Sequence, residues 1–146
     1  MRRLFFTLII SFFTITGLTA QDWQTDFTKA KEMAKKEKKT IVLVFQGSDW
    51  CAPCIKLDRE IWSTETFKKY ASDHFVMVQA DFPRKKKNGL SEEQQAANKK
   101  LAEVYNKKGI FPFVVVMDTD GQVLKETSYK NISPEEYIKL ITSFSK

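Results

Sequence analysis

The stretch that decides the fold runs from residue 40 to residue 54 and reads TIVLVFQGSDWCAPC. Its first six residues, 40–45, are apolar or β-branched throughout, which predicts a central strand covered on both faces. Gly47 and the residues after it end this strand. Pro53 suits the first turn of a helix, where its missing N–H is not needed. The stretch therefore predicts a buried strand, a short turn and a helix that begins at two cysteines.

The two cysteines, Cys51 and Cys54, are the only ones in the chain. Their spacing lets both sulfurs meet in one small ring. A helix N-terminus presents unpaired N–H groups and positive partial charge, which favour a thiolate over a thiol. Cys51, nearer the turn, is predicted to be the exposed nucleophile, and Cys54, one turn into the helix, the resolving cysteine. The pattern favours thiol–disulfide exchange, which needs no cofactor beyond the two thiols.

Three other uses of the cysteines remain open. A structural disulfide is compatible with an exported protein, although closing so short a loop stabilises little in chain-entropy terms. A metal site would need further ligands, and since His74 is the only histidine, no metal is expected. A cysteine hydrolase would need His74 beside Cys51, and nothing in the sequence brings them together. His74 is instead expected on the surface before the second strand.

The first twenty residues have the layout of a secretory signal peptide. Arg2 and Arg3 form a positive start, residues 4–15 are mostly apolar, and Ala20 provides a small residue before the expected cut. An uncleaved membrane anchor is the alternative, but the apolar run is short for a spanning helix. Residues 21–146 are therefore expected to form one domain that is exported to the periplasm without a stable membrane anchor.

Hydrophobic periodicity divides the mature chain into elements in the order α-β-α-β-α-β-β-α. The first helix has Trp23 in its apolar pattern and ends near Lys38, and a strand over 40–45 follows it. A helix then runs from the cysteines toward Trp62, a short helix runs from a cap at Ser63 to Tyr70, and a second strand covers 75–80. A helix from a capping box at 91–94 to about Lys107 leads to strands over 113–117 and 123–126, which a turn at 118–121 joins, and the last helix begins at 133–136. Helical crossovers make the first two strands parallel, and the hairpin adds antiparallel ones.

The formal net charge is +6 at pH 7, carried mostly by scattered lysines. The densest run, RKKK at 84–87, is expected to be a solvated loop, with an anionic-membrane or nucleic-acid patch as the alternative. An exported protein has little access to nucleic acid, so no nucleic-acid partner is expected.

The WCAPC motif at 50–54, Phe111-Pro112 before the hairpin and the order of elements resemble the thioredoxin superfamily, in particular exported bacterial thioredoxin-like proteins. The resemblance implies an α/β thioredoxin fold with a central four-stranded mixed sheet flanked by helices. It also implies a thiol–disulfide oxidoreductase that acts on thiols or disulfides of other proteins, is served by a redox partner protein and is a monomer. A thioredoxin-fold binding or chaperone module with a resting disulfide is the alternative.

The resemblance further implies a cis bond before Pro112, with Pro112 packed against the cysteines. Residues expected to contact the substrate are Trp50, Ala52, Pro53, Phe111 and Pro112. Two departures stand out. The buried acid of the family would fall at Val44 or Phe45, neither of which accepts a proton, and Met77 stands near a family lysine. The leading strand of thioredoxin is also expected to be missing, because a helix comes first.

Overall fold

The computed structural model describes residues 21–144, in which five strands form one mixed sheet with helices on both faces. The predicted signal peptide, residues 1–20, lies outside the described residues. The strands are β1 (Trp23–Gln24), β2 (Thr40–Gln46), β3 (Phe75–Asp81), β4 (Phe113–Met117) and β5 (Val123–Thr127). The helices are α1 (Phe27–Glu37), α2 (Ala52–Leu57), α3 (Glu65–His74), α4 (Glu92–Tyr105) and α5 (Pro134–Thr142).

The strand order is β1-β3-β2-β4-β5, which puts β2 in the centre of the sheet. β2 pairs in parallel with β3 and antiparallel with β4, so Phe45 lies beside Ala80 on one side and Phe113 on the other. The predicted mixed sheet and its hairpin are confirmed. In the turn at 118–121, Asp118 Oδ1 accepts the N–H groups of Asp120 and Gln122.

The sheet has a fifth strand that the prediction of four strands missed. Trp23 and Gln24 pair in parallel with Met77 and Val78 at the edge of the sheet. The assignment of Trp23 to the first helix was wrong, because α1 begins only after Asp26, whose carboxylate accepts the N–H of Thr28 and of Lys29. Two residues are too few for a periodic pattern, so this strand left no signal in the sequence.

β2 separates two apolar clusters, as its unbroken apolar sequence predicts. Val42 and Val44 face a cluster with Leu57, Trp62 and Tyr137. The alternate residues of the strand face a second cluster formed with α1 and the other faces of β3 and β4; they are Ile41, Leu43 and Phe45. Since side chains of a strand alternate between faces, β2 is buried on both sides and fixes the position of the turn after it.

The helix that carries the cysteines does not end at Leu57. It continues as a π turn over Asp58–Trp62, and the N–H of Ser63 closes this turn on the carbonyl of Asp58 at 2.8 Å. Ser63 therefore ends one helix and does not cap the next, so the prediction of a Ser63 cap was wrong. Thr64 caps α3 instead, accepting the N–H of Phe67, and α3 extends to His74.

The remaining helix starts agree with the sequence. Ser133 is the N-cap of α5, as the sequence predicts, and it forms a reciprocal capping box with Glu136. Ser91 caps α4 by accepting the N–H of Gln94. The prediction of a capping box at 91–94 was wrong, because the Gln94 side chain donates to Asn98 and to the carbonyl of Thr25 and does not reach back to Ser91. Between residues 21 and 144, no helix has the length and apolar composition needed to cross a membrane.

Candidate active site at the paired cysteines

The end of β2 delivers the chain directly to the cysteines. A tight turn comes after the strand, in which the carbonyl of Gly47 accepts the N–H of Trp50 and, at 2.9 Å, the N–H of Cys51. Cys51 is the N-cap of α2, and its sulfur accepts the N–H of Cys54 at 3.3 Å. The two sulfurs are joined in a disulfide, with Cα atoms 5.2 Å apart. The structure thus brings Cys51 and Cys54 together in the oxidised state.

The two cysteines do not differ in exposure. Cys51 is 4% exposed and Cys54 is 3% exposed, so the prediction that Cys51 is the exposed one was wrong for this oxidised pair. In a disulfide each sulfur covers the other on one side, which the position of a residue in a helix does not predict. Ala52 and Pro53, between them, are exposed and form the accessible part of the motif.

Trp50 is held against the residues that come after β3. Its indole Nε1 donates to the carbonyl of Phe82 at 2.8 Å. The indole also lies edge-on to the ring of Phe111, with centroids 5.6 Å apart, and Phe111 in turn lies 5.5 Å from Phe82. The aromatic cluster of Trp50, Phe82 and Phe111 therefore ties the cysteine motif to two other loops at the same end of the sheet. Phe82 was not among the predicted site residues.

The bond between Phe111 and Pro112 is cis, as the resemblance implies. Pro112 is buried and its carbonyl accepts the hydroxyl of Ser128 at 2.6 Å. The carbonyl of Ser128 accepts the hydroxyl of Tyr137 at 2.9 Å, which connects this bend to α5. Phe111 brings the bend against Trp50, whereas packing of Pro112 on the sulfurs stays a prediction.

Asp49 fixes the backbone of the basic run. Its carboxylate accepts the N–H groups of Arg84 and Lys85, at 2.9 and 3.0 Å, and the side-chain amide of Asn88 at 2.8 Å. These donors, the Arg84 N–H foremost, lower the pKa of Asp49 to about 2. The side chains of 84–87 are exposed, as predicted, but the loop itself is anchored. No sequence pattern indicates a contact between Asp49 and residues 35 or more positions further along the chain, so these hydrogen bonds were not predicted.

Arg84 covers Trp50. The guanidinium lies 3.7 Å from the centroid of the indole ring, which is a cation–π arrangement. Because Asp49 holds the backbone of Arg84 while Trp50 holds its side chain, the start of the basic run is attached to the residue that precedes Cys51.

A second carboxylate, that of Asp81, holds the turn between β2 and the cysteines. Asp81, the last residue of β3, accepts the backbone N–H of Ser48 at 2.9 Å and its hydroxyl at 2.6 Å. The carbonyl of Asp81 accepts the side-chain amide of Asn98, a buried residue of α4. The turn before the cysteines is therefore joined to β3 and, through it, to α4.

A third contact joins the π turn to the loop before α5. The hydroxyl of Tyr129 donates to Glu60 at 2.6 Å. This hydrogen bond, with a second from Arg59, lowers the pKa of Glu60, and the same bond to Glu60 raises the pKa of Tyr129. The segment after the cysteines is thus fixed to the loop in which Ser128 contacts Pro112.

The surroundings of α2 in the core are apolar. Val44 is one of the two positions at which the buried acid of the family would fall, and it is 1% exposed. It belongs to the same cluster as Leu57, which lies one turn beyond Cys54. Phe45 faces the opposite cluster, and Met77, which lies beside Val42 in the sheet, belongs to the same cluster as Val44. The buried members of this cluster carry no carboxylate, so no buried acid of the described chain lies in the core beneath α2.

The fold and the paired cysteines define a class. A family model described as thioredoxin-like matches residues 22–119, and the chain belongs to this thioredoxin-like family. With the Cys51–Cys54 pair at the start of α2, it is a thiol–disulfide oxidoreductase.

Individual relatives agree with this class. The chain is 36% identical over 124 residues to the disulfide bond reductase DsbH of Chlamydia pneumoniae, covering 85% of this chain and 72% of that protein. A solved structure titled DsbH oxidoreductase superposes with a TM-score of 0.78 at 34% identity, covering 86% of this chain and 84% of the other. A disulphide isomerase from Xylella fastidiosa, 23% identical with a TM-score of 0.60 and coverage of 80% and 88%, shares the fold.

Proposed function

We propose that this protein reduces disulfides of other proteins in the bacterial cell envelope, with Cys51 as the nucleophile and Cys54 as the resolving cysteine. The observation that carries the roles is the hydrogen bond from the Cys54 N–H to the Cys51 sulfur at the N-cap of α2. An N–H donor and the positive end of a helix stabilise a thiolate, so Cys51 is the sulfur that ionises first. The similarity to a disulfide bond reductase supports the reductive direction.

The reaction balances without a further cofactor. The Cys51 thiolate attacks one sulfur of the substrate disulfide, the substrate S–S bond breaks, and the departing thiolate takes up a proton. Cys54 then loses its proton and attacks the Cys51 sulfur of this mixed disulfide. The second substrate thiol is released, and the Cys51–Cys54 disulfide remains. Two electrons have passed to the substrate, and a redox partner protein must supply two more to restore the dithiol.

The substrate contacts the surface around the motif. Ala52 and Pro53 are exposed between the cysteines, while Trp50, which directly precedes Cys51, lies edge-on to the ring of Phe111. The backbone before Pro112 offers groups for an extended substrate segment, as in recognition by strand addition. The large ring of Phe111 favours substrates with an apolar side chain near the disulfide, and Phe111→Ala should weaken that preference.

The mature protein is a periplasmic monomer that begins at or near Gln21. This proposal rests on the positive start, apolar run and small residues within 1–20. Intact-mass measurement of protein from the native host tests it, and retention of Met1 in a soluble cytoplasmic fraction would overturn it.

Trapping with two single-thiol variants tests the mechanism. In Cys54→Ser the nucleophile remains but nothing expels the substrate, so mixed disulfides with envelope proteins should accumulate and disappear on reduction. Cys51→Ser is the matched control, since it also carries one thiol, and it should form few adducts. Equal capture by both variants would show that the roles are wrongly assigned.

The midpoint potential and insulin reduction by the wild type test the direction. A reductase should have a potential near that of thioredoxin, about −270 mV, and should reduce insulin. A potential below about −300 mV, without turnover and without adducts in either variant, would favour a binding module with a structural disulfide.

A further inference from the structure

Four consecutive cations lie at the edge of the candidate active site. Residues 84–87, RKKK, are all exposed, and none of their side chains forms an ion pair with a carboxylate of the described chain. We call residues 84–87 the basic loop. Unpaired surface cations in a group repel one another, so such a group is stabilised when anionic groups approach it.

The basic loop does not move freely with respect to the cysteines. The carboxylate of Asp49 accepts the backbone N–H groups of Arg84 and Lys85, and the Arg84 guanidinium lies over the ring of Trp50. Asp49 and Trp50 immediately precede Cys51 in the chain. The positive charge is therefore fixed beside the place where a substrate disulfide must arrive.

The nearby carboxylates of Asp49 and Asp81 offset only part of this charge, because they set two negative charges against four positive ones and neither forms an ion pair with residues 84–87. Asp49 already accepts three hydrogen bonds, and both oxygens of Asp81 are engaged by Ser48 and the N–H of Phe82. Glu93, in the first turn of α4, lines a different groove, between α1 and α4. Lys56, two residues after Cys54 in the chain, is a further exposed cation.

We propose that the basic loop is a docking surface for an acidic segment that flanks the disulfide of a substrate protein. The guanidinium of Arg84 offers a planar fork that matches a carboxylate, and the lysines add attraction that steers the substrate toward the site. The inference rests on the proposed function, because it assigns the segment to a disulfide substrate. A protein segment is favoured over other polyanions because the loop adjoins a site whose substrates are proteins.

Three synthetic peptides test the proposal. They share one disulfide loop and differ only in the flank, which carries four Asp, four Ser or four Lys residues. At about 20 mM salt, wild type should reduce the Asp-flanked peptide roughly three to ten times faster in kcat/KM than the Ser-flanked one, a modest steering effect, and the Lys-flanked one most slowly. At about 0.5 M salt the differences should largely vanish, because the screening length falls to a few ångströms.

Two double variants of equal charge locate the effect. Lys86→Gln/Lys87→Gln removes two cations of the basic loop and should lose most of the preference. Lys36→Gln/Lys69→Gln removes two exposed lysines, on α1 and α3, and should retain it. Reduction of a small neutral disulfide, 2-hydroxyethyl disulfide, should be the same in all three proteins, which shows that each variant is folded and active. Equal loss in both variants, or no preference in wild type, would overturn the proposal.

Binding measured without turnover separates this inference from the proposed function. Peptides with Ser in place of both cysteines are titrated into oxidised wild type and the two variants at low salt. Tighter binding of the Asp-flanked peptide to wild type and to the Lys36/Lys69 variant supports the docking surface even if no disulfide is reduced. No difference between the peptides, or attachment to vesicles of anionic phospholipid without any peptide preference, would contradict it.

Discussion

The guanidinium of Arg84 lies 3.7 Å from the centroid of the Trp50 ring, so a cation covers the residue that precedes Cys51. The same indole donates to the carbonyl of Phe82 and contacts the ring of Phe111. Trp50 is therefore the point where the turn after β2, the loop after β3 and the bend before β4 meet. Substitutions that loosen Trp50 should affect all three segments.

Arg84→Ala should lower the free energy of unfolding by about 0.5–1 kcal/mol, which is the size of a cation–π contact at an exposed site. In a Trp50→Leu background the same change should have almost no effect, because the ring is gone. Urea unfolding of the four proteins gives the coupling energy. Lys86→Ala serves as the control in both backgrounds. Equal losses for Arg84→Ala with and without Trp50 would contradict the contact.

Gly47→Ala should displace Trp50. A Cβ on Gly47 would fall inside van der Waals contact with three atoms of the indole. We expect a loss of about 1–3 kcal/mol in stability, as for other overpacked sites, and a shift of the Trp50 indole N–H signal in NMR spectra. In a Trp50→Val background Gly47→Ala should cost much less, because the indole that the new Cβ would meet is gone. Gly109→Ala is the contrasting control, because its cost comes from a positive φ of 63° and should not depend on Trp50.

Asp49→Ala should release the basic loop. Amide hydrogen exchange at Arg84 and Lys85 should become faster, because both N–H groups lose their acceptor. Asp73→Ala, at an exposed position of α3, should leave this exchange unchanged.

The stability difference between wild type and Asp49→Ala should depend on pH. The folded-state pKa of Asp49 is lowered from 3.8 to about 2, so the stabilisation is present above the unfolded value and is lost as the pH falls through about 2. The difference in unfolding free energy should therefore be constant from pH 7 to 5 and shrink toward pH 2. A difference that grows on acidification would have the wrong sign.

Tyr129→Phe should destabilise the protein in a pH-dependent way. The hydroxyl of Tyr129 lowers the pKa of Glu60 below 4.5, so its contribution is present above that value and lost as the pH falls through the folded-state pKa. The destabilisation should be full at pH 7 and diminish in acid, as measured by urea unfolding. Tyr105→Phe removes a hydroxyl on α4, where Tyr105 lines the groove between α1 and α4, and should show no such trend.

Local signals predicted most of the fold correctly. The apolar run of β2, the capping box of α5 and the turn at 118–121 each specify a structure within a few residues, and the structure contains all three. The prediction of a cis bond before Pro112 came from the family resemblance and not from any local pattern. β1 was missed because two residues pair with β3 only through the tertiary fold.

The parts of the site that the sequence left unpredicted depend on distant contacts. Asp49 meets Arg84 and Lys85 across 35 and 36 positions, and Trp50 meets Phe82 across 32. Such contacts exist because β2 and β3 end side by side, which a composition or a motif does not encode. The nearly equal exposure of Cys51 and Cys54 likewise depends on how the folded protein covers the disulfide, and not on the position of each cysteine along the helix.

The π turn over Asp58–Trp62 has a consequence for the length of the chain between Cys54 and Trp62. A π turn accommodates one residue more than an α-helical turn, and here it allows Leu57, Ile61 and Trp62 all to reach the core. Deleting one residue from this turn would let it close as regular α-helix and would leave the residues beyond it close to their present orientation. A deletion before the turn, within α2, would instead rotate these residues by about 100° relative to the cysteines, and Trp62 would leave its place against Phe67 and Tyr137. Single-residue deletions should therefore be tolerated in the π turn and in the loop near Gly89, but not in the α-helical segment that carries the cysteines.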